Sequence, residues 1–378
     1  MNQFIYADNA ATTQLSKAAL DAMMPWMLSE YGNASQPYTF ARKPKKALAD
    51  ARTAIADCIN AQPDEIIFTS GGTESDNWAI KGSAFSDARK RATITTAFEH
   101  HAILHSCYAI ERLGYPVSYL MPTEEGLIST KELQTIISDT TRLVSIMYAN
   151  NEIGSIQPIN ELCEVAHSYG ALFHTDAVQA VGHAKIDVQE LGIDLLSASA
   201  HKFNGPKGIG FLYIRKGTNI ASYADGGAQE MSHRAGTENI AAIVGMAAAL
   251  TENCNTMKKH IDKVRGLEKR LIDGLRAANI VFSRNGGSNT LPGLLSLSFP
   301  SADGEAILHR MDLSGICIST GSACNGESTN ISHVLQAIRL DESLAKGTIR
   351  IAFGKNNSED DVDRIIQVLL RIVGQEVH

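Results

Sequence analysis

The chain has 378 residues, of which 44% are hydrophobic and 20% are charged, a composition typical of globular proteins and not of disordered chains. Its 34 basic and 41 acidic side chains give a formal net charge of −7, so it lacks the overall positive field of many nucleic-acid-binding and membrane-surface proteins. A chain of this length predicts two or three domains with a large core.

The apolar runs, the N-terminal residues and the cysteines bear on the compartment. No stretch approaches the roughly 18 uninterrupted apolar residues of a membrane-spanning helix, and the first eight residues lack the basic and apolar regions of a secretory signal. We therefore expect a cytoplasmic protein with no membrane partner. The six cysteines include no C-x-x-C pair and no Cys/His metal spacing, so neither a metal site nor a disulfide framework is predicted.

In chain order, residues 41–60 have apolar side chains at helical spacing and predict a helix. Short apolar runs then alternate with helical patterns as far as residue 215, and this alternation predicts an α/β fold with a mostly parallel sheet covered by helices. The runs predicted as strands are 66–68, 93–95, 143–146, 171–173 and 194–196. The run 209–214 follows its predecessor too closely for a helical crossover, so we predict an antiparallel strand there.

The pattern changes after Leu250. An amphipathic helix from about 257 to 275 precedes three strands and a last helix that begins after Ser358, a favourable N-cap. The three strands are expected near residues 294–299, 316–318 and 348–353. We predict a smaller α+β domain formed by residues 1–13 and 256–378, beside a large domain formed by residues 14–255.

Polar residues follow five of the predicted strands, where an open parallel sheet binds its ligands. They are Gly71-Gly72-Thr73-Glu74, Glu99-His100-His101, Asn150-Asn151-Glu152, Asp176-Ala177-Val178-Gln179 and Ala200-His201-Lys202. The glycine turn at 71–73 leads into a helix, whose first N–H groups could hold a phosphate, although glycines are also common in plain strand–helix turns. Neither a Walker loop nor a G-x-G-x-x-G fingerprint is present.

Asp176 and Lys202 sharpen this prediction. A carboxylate at the end of an apolar strand needs a cationic or donor partner to stay ionised, although Asp176 could also be a structural N-cap. A desolvated lysine can form a Schiff base, although Lys202 could also be an exposed loop residue. Together with a phosphate cradle, the two residues match the needs of pyridoxal phosphate.

Seven sequence motifs resemble those of the cysteine desulfurases of NifS/IscS type, in the class V aminotransferase superfamily. They are ADNAATT (7–13), TSGGTESDN (69–77), NNEIG (150–154), AHK (200–202), GPKG (205–208), RAGTEN (234–239) and GSAC (321–324). The likeness extends from about residue 5 to 373. Tyr38, where a histidine is common, and Ala228, in a string that is usually Gly-Gly-Gly-Gln-Glu, depart from the pattern without removing a catalytic group.

The resemblance implies a homodimer of the pyridoxal-phosphate-dependent fold-type I, with its active sites near the subunit interface. It assigns cofactor binding to Gly72, Thr73, His100, Asn151, Asp176, Gln179, Ser199, His201 and Lys202, and to Thr237 of the partner subunit. Lys202 would carry the cofactor as a Schiff base, His100 would stack on its ring, and Asp176 would pair with the pyridine nitrogen. Asn33 and Arg350 would hold the substrate carboxylate, for which a planar guanidinium is well suited.

Cys324 lies in a small, polar segment unlike a protein core. By resemblance, its thiolate would attack the sulfur of bound cysteine and leave alanine and a persulfide. A protein acceptor, an iron–sulfur scaffold or a thiolation enzyme, would take the sulfur. Two alternatives stay open: another class V enzyme, such as a selenocysteine lyase or β-elimination lyase, and a non-catalytic sulfur-carrier paralogue. The basic residues 42–46 favour a solvated helix face over a nucleic-acid contact.

Overall fold

The computed structural model describes residues 4–320 and 331–374. Its strands are β1 (Ile5–Tyr6), β2 (Ile66–Thr69), β3 (Ala92–Thr96), β4 (Val117–Leu120), β5 (Thr141–Ser145), β6 (Leu172–Asp176), β7 (Leu195–Ser199), β8 (Gly210–Ile214), β9 (Ser283–Arg284), β10 (Leu294–Ser298), β11 (Ile316–Cys317), β12 (Ser319–Thr320) and β13 (Thr348–Ala352). Its helices are α1 (Lys17–Leu28), α2 (Arg42–Ile59), α3 (Gly72–Ser86), α4 (His101–Glu111), α5 (Thr130–Ile136), α6 (Ile159–Ser168), α7 (Ile240–Ala277), α8 (Gly304–Leu313), α9 (His333–Ala337), α10 (Glu342–Ala345) and α11 (Glu359–Val373).

A seven-stranded sheet forms the centre of the molecule, in the order β2-β8-β7-β6-β5-β3-β4. Strands β3 to β7 pair in parallel, and β8 pairs antiparallel with both β2 and β7. The prediction of an α/β fold with an antiparallel strand at 209–214 is therefore confirmed. Edge strand β4 was not predicted. It is only four residues long, and Leu120 is its one buried residue, so its apolar signal is weak.

Helix α7 is continuous over 38 residues, whereas the sequence pattern suggested an apolar segment ending at Leu250 and a separate amphipathic helix. Its N-terminal part packs against α1 and α2, and α11 also packs along it. Gly245 allows the close contact with α1, since a Cβ atom at this position would lie 2.5 Å from Met23 Cγ. The helix therefore runs through residue 255, near the predicted domain boundary, and the domain division stays a prediction.

A second, four-stranded sheet has the order β12-β13-β10-β9, and β1 pairs in parallel with β11. Helices α8 and α11 pack beside it. Ser358 caps α11 in a reciprocal capping box with Asp361, as the sequence indicated. In the part of the chain that the structure describes, no helix is long and apolar enough to cross a membrane.

Candidate active site

A cavity of about 390 Å³ opens beyond the carboxyl ends of the central parallel strands, within the size range of small-molecule sites. It is lined by residues from both sheets and from the N-terminal segment. The structure brings together ten of the predicted site residues here, which are Gly72, Thr73, His100, Asn151, Asp176, Gln179, Ser199, His201, Lys202 and Arg350.

One wall of the cavity is the N-terminus of α3. A Cβ atom at Gly72 would lie 2.5 Å from Val178 Cγ2, so glycine allows the helix N-terminus to pack closely against Val178, which also lines the cavity. The first N–H groups of a helix have no partner within the helix and carry a positive partial charge. Thr73 and Ser199 line the same wall. This arrangement can hold a phosphate group.

His201 lies beside this wall, in the 3₁₀ turn Ala200–Lys202 after β7. Its Nδ1 atom is 3.1 Å from the Thr12 hydroxyl. Burial lowers the pKa of His201 to about 4, and the charges of Lys202 and Lys207 act in the same direction. The imidazole is therefore neutral near pH 7 and offers one ring nitrogen as a donor.

Asp176 ends β6 and is buried at the base of the cavity. Burial raises the pKa of Asp176, while its interactions with His100 and Lys202 and the hydrogen bond from the Val178 N–H (2.9 Å) lower it. Lys202 Nζ donates to the carbonyls of Ala10 (2.5 Å) and Ala11 (2.9 Å). A buried carboxyl group and an amine thus share one cavity.

His100 is the N-cap of α4, where its Nδ1 atom accepts a hydrogen bond from the Ala102 N–H at 3.1 Å. Burial lowers the pKa of His100, with the charge of Asp176 opposing the change. A neutral ring accepts at Nδ1, and the cap fixes its orientation at the cavity wall. The preceding Glu99 is fully buried and accepts from the Met147 N–H and the Thr96 hydroxyl, both at 2.9 Å.

Arg350, on β13, lies at another wall of the cavity. Its Nη2 atom donates to Asp8 Oδ1 at 2.8 Å, and its Nη1 atom donates to the Asn151 carbonyl at 2.9 Å. Its buried Nε atom has no hydrogen-bond partner. Beside it, Glu152 accepts from the Ser332 hydroxyl at 2.5 Å, and burial raises the pKa of Glu152 to about 7 despite the charge of Arg350.

Three predicted site residues are not among those that line the cavity. Asn33 is half-buried and accepts at Oδ1 from the Ser35 N–H at 2.9 Å, and Thr237 is exposed. Cys324 lies outside the described residues, but β12, which ends at Thr320, lines the cavity. Their roles stay predictions.

Three acidic residues without a predicted role also line the cavity, namely Asp8, Asp76 and Glu152. All three lie in the motifs already noted. The position of Asp76 at the cavity could have been predicted, because Asp76 follows Gly72 by four residues and therefore lies on the same face of the helix. The residues present fit pyridoxal phosphate. The backbone at Gly72 can hold the phosphate, Asp176 supplies a buried carboxyl group, and Lys202 supplies an amine.

Comparison with known proteins agrees with this geometry. A family model described as Aminotransferase class-V matches residues 5–365. "Cysteine desulfurase IscS" of Clostridium botulinum (strain Hall) is 45% identical over 379 residues, which cover 99% of this chain and 96% of that protein. The chain belongs to the class-V aminotransferases, within their cysteine desulfurase family.

Two solved structures of similar proteins extend the match to the fold. One described as a NifS-like protein has a TM-score of 0.93 at 34% identity, and the match covers 99% of this chain and 100% of that chain. Another, described as SspA in complex with cysteine, has a TM-score of 0.82 at 36% identity and covers 94% and 100%. This class-V aminotransferase therefore has the fold-type I architecture that its motifs implied.

Proposed function

We propose that the chain is a pyridoxal-phosphate-dependent cysteine desulfurase that converts L-cysteine to L-alanine and leaves the sulfur as a persulfide on Cys324. The observation that carries the proposal is the meeting of Asp176, Lys202 and Arg350 in one cavity. A relative named cysteine desulfurase, 45% identical over 99% of the chain, supports the same reaction.

Pyridoxal phosphate, when bound, supplies a carbonyl group that combines with amines and a ring that withdraws electrons from the carbons of an amino acid. The α3 N-terminus would hold its phosphate, together with Thr73, Ser199, His201 and Thr237 of the partner subunit. Asp176 would accept the hydrogen bond of the pyridine nitrogen. The remaining contacts to the ring and its carbonyl end would come from His100, Asn151, Gln179 and Lys202.

Lys202 and His100 would have different roles toward the cofactor. The Lys202 amine would hold the carbonyl end of the cofactor and move a proton at its Nζ atom. The neutral His100 ring, fixed by its helix cap, would lie against the cofactor ring.

Arg350 would bind the carboxylate of cysteine, with Asn33 as its proposed partner. The guanidinium already gives one bond to Asp8 and one to the Asn151 carbonyl, and its buried Nε atom has no partner. A substrate carboxylate in the cavity would accept charge-assisted hydrogen bonds from the guanidinium, which are stronger than neutral ones. Asp8 holds the guanidinium in place until substrate arrives.

The sulfur step balances without an added reductant. The Cys324 thiolate attacks the sulfur of bound cysteine, an S–S bond forms, and the Cβ–S bond breaks. The electron pair of the broken bond stays with the β-carbon, which takes one proton and becomes the methyl group of alanine. The sulfur on Cys324 is then available to a protein acceptor, either an iron–sulfur scaffold or a thiolation enzyme.

We also propose that the protein is a homodimer. Large apolar side chains are exposed on α1 and in the segment after it, and such patches mark interaction surfaces. They are Leu20, Met24, Met27, Leu28, Tyr31 and Phe40, with exposed fractions between 42% and 76%. Thr237 is exposed and outside the cavity of its own chain, a position that suits a residue serving the partner's site.

The proposed reaction is tested by supplying cysteine and a reductant to the cofactor-loaded protein and measuring alanine and sulfide. We expect turnover in the wild type, none in Cys324→Ala, and near-wild-type turnover in Cys317→Ala, the matched control on β11. 3-Mercaptopyruvate in place of alanine and sulfide would indicate transamination. Pyruvate and sulfide in place of alanine would indicate β-elimination. Alanine turnover that persists in Cys324→Ala would indicate a lyase that needs no persulfide on this cysteine, and no alanine from any protein would contradict the proposed reaction.

A further inference from the structure

Asp76 is a buried carboxyl group of the cavity that has no task in the proposed reaction. It lies on α3, one turn after Gly72, with an exposed fraction of only 1%. Its Oδ1 atom is buried and has no hydrogen-bond partner. An ionised carboxylate at this position would have lost its hydration without replacing it, which costs several kcal/mol.

The groups around Asp76 explain its charge state. One carboxyl oxygen each of Asp76 and Asp176 and a ring nitrogen of His100 all lie within 4.8 Å of one another. Ser197 also interacts with Asp76 and lowers its pKa, whereas the buried Glu99 raises it. Burial, and then the negative charge of Asp176, raises the pKa of Asp76 well above its ordinary value.

His174, which faces Asp76 from β6, does not supply a positive charge. Its Nε2 atom is 3.8 Å from Asp76 Oδ1. The ring is fully buried, and its two nitrogens are hydrogen-bonded to the hydroxyls of Ser145 (2.8 Å) and Ser197 (3.0 Å). Burial lowers the pKa of His174 to about 3, so the imidazole is neutral near pH 7.

Two carboxyl groups this close in a buried site resist carrying two negative charges, so the pair holds one. Asp176 is the better place for it. Its Oδ1 atom accepts the Val178 N–H, and the positive charge of Lys202 stabilises its ionised form. The interaction with Ser197 is the opposing influence on Asp76, and it is outweighed by burial.

We propose that Asp76 is a positioning residue for the cofactor: a neutral carboxylic acid that keeps the single negative charge of the pair on Asp176 and turns its O–H group toward that carboxylate. Asp176 is thereby held as the acceptor for the pyridine nitrogen. This inference rests on the proposed function, because it takes pyridoxal phosphate as the ligand of the cavity.

The test compares Asp76→Asn, Asp76→Ala and Asp176→Asn for pyridoxal phosphate affinity and for the visible spectrum of the bound cofactor. Asparagine is neutral, has the same shape and offers an N–H donor, so Asp76→Asn should bind within about threefold of the wild type, with an unchanged spectrum. Asp76→Ala should bind about tenfold more weakly, because the donor is lost. Asp176→Asn should weaken binding at least as much and shift the spectrum.

An infrared measurement reports the charge of Asp76 in the wild-type protein itself. The wild-type minus Asp76→Asn difference spectrum at neutral pH should contain the carbonyl stretch of a protonated carboxyl group. Carboxylate bands instead, or an Asp76→Asn variant as impaired as Asp176→Asn, would overturn the inference while leaving the proposed function intact. Wild-type protein that binds no pyridoxal phosphate would overturn the proposed function, and this inference with it.

Discussion

The two ends of the cavity set their charges by different means. At the acidic end, burial raises the pKa of Asp76 and Asp176, which line the cavity. It also raises the pKa of the nearby Glu99, which is fully buried and does not line the cavity, to about 8. At the arginine end, Arg350 is instead paired with Asp8 at 2.8 Å. The acidic end therefore keeps most of its acids neutral, whereas the arginine end keeps both of its charges.

The difference explains what each end can bind. Neutral acids around one ionised carboxylate leave a single negative charge for a cationic ring nitrogen, because a second charge would repel the first. The Arg350–Asp8 pair holds the guanidinium in place while its Nε atom remains without a partner. A carboxylate ligand therefore fits the arginine end, and a protonated pyridine fits the acidic end.

The largest effect is expected from a substitution that removes the one negative charge of the acidic end. Asp176→Ala should lower kcat about a hundredfold to a thousandfold, because the ring then withdraws electrons less strongly. Turnover should be measured with excess pyridoxal phosphate, so that weaker binding does not mimic slower chemistry. Full activity in this variant would contradict the role of Asp176.

A smaller effect is expected at the arginine end. Arg350→Lys keeps the positive charge but loses the planar fork, so KM for cysteine should rise about tenfold to a hundredfold with a smaller change in kcat. Steady-state kinetics separate the two constants. Arg310→Lys, an exposed substitution at the end of α8, is the matched control, and an unchanged KM in Arg350→Lys would exclude Arg350 from substrate binding.

The smallest effect concerns stability near the arginine end. Burial raises the pKa of Glu152 from 4.5 to about 7, so the folded state binds this proton more tightly than the unfolded chain. Its contribution to the free energy of unfolding, on the order of 3 kcal/mol, is full below about pH 4.5 and is lost as the pH rises through about 7. Urea unfolding at several pH values should therefore show a decline that Glu152→Gln flattens.

The exposed Glu124→Gln variant is the control for that measurement and should follow the wild-type curve. A Glu152→Gln variant whose stability declines with pH as steeply as that of the wild type would show that Glu152 is ionised in the folded protein. The same result would place a second full negative charge beside Arg350 and weaken the contrast between the two ends.

Much of the fold could be predicted because its parallel strands are buried runs of apolar residues. The antiparallel pairing of β8 followed from a connection too short for a helix. Strand β4 escaped prediction because its side chains are only partly buried. The continuity of α7 was not predicted because the pattern changes after Leu250, although a single helix runs through that change.

The cavity was predictable for a related reason, because residues that follow parallel strands meet at one sheet edge. Asp176 and Lys202 came directly from this rule. The pairing of Arg350 with Asp8 and the closeness of Asp76 to Asp176 did not, since they depend on how the two sheets and α3 pack. The exposed apolar surface of α1 likewise becomes visible only once the rest of the chain is folded.

The most direct test of the central claim is mass spectrometry of the protein after a single turnover with cysteine and without reductant. The peptide that contains Cys324 should gain the mass of one sulfur atom, one alanine should be released per site, and the peptide that contains Cys317 should be unchanged. Alanine release with sulfur on another cysteine, or with free sulfide and no mass gain, would contradict a desulfurase that works through Cys324.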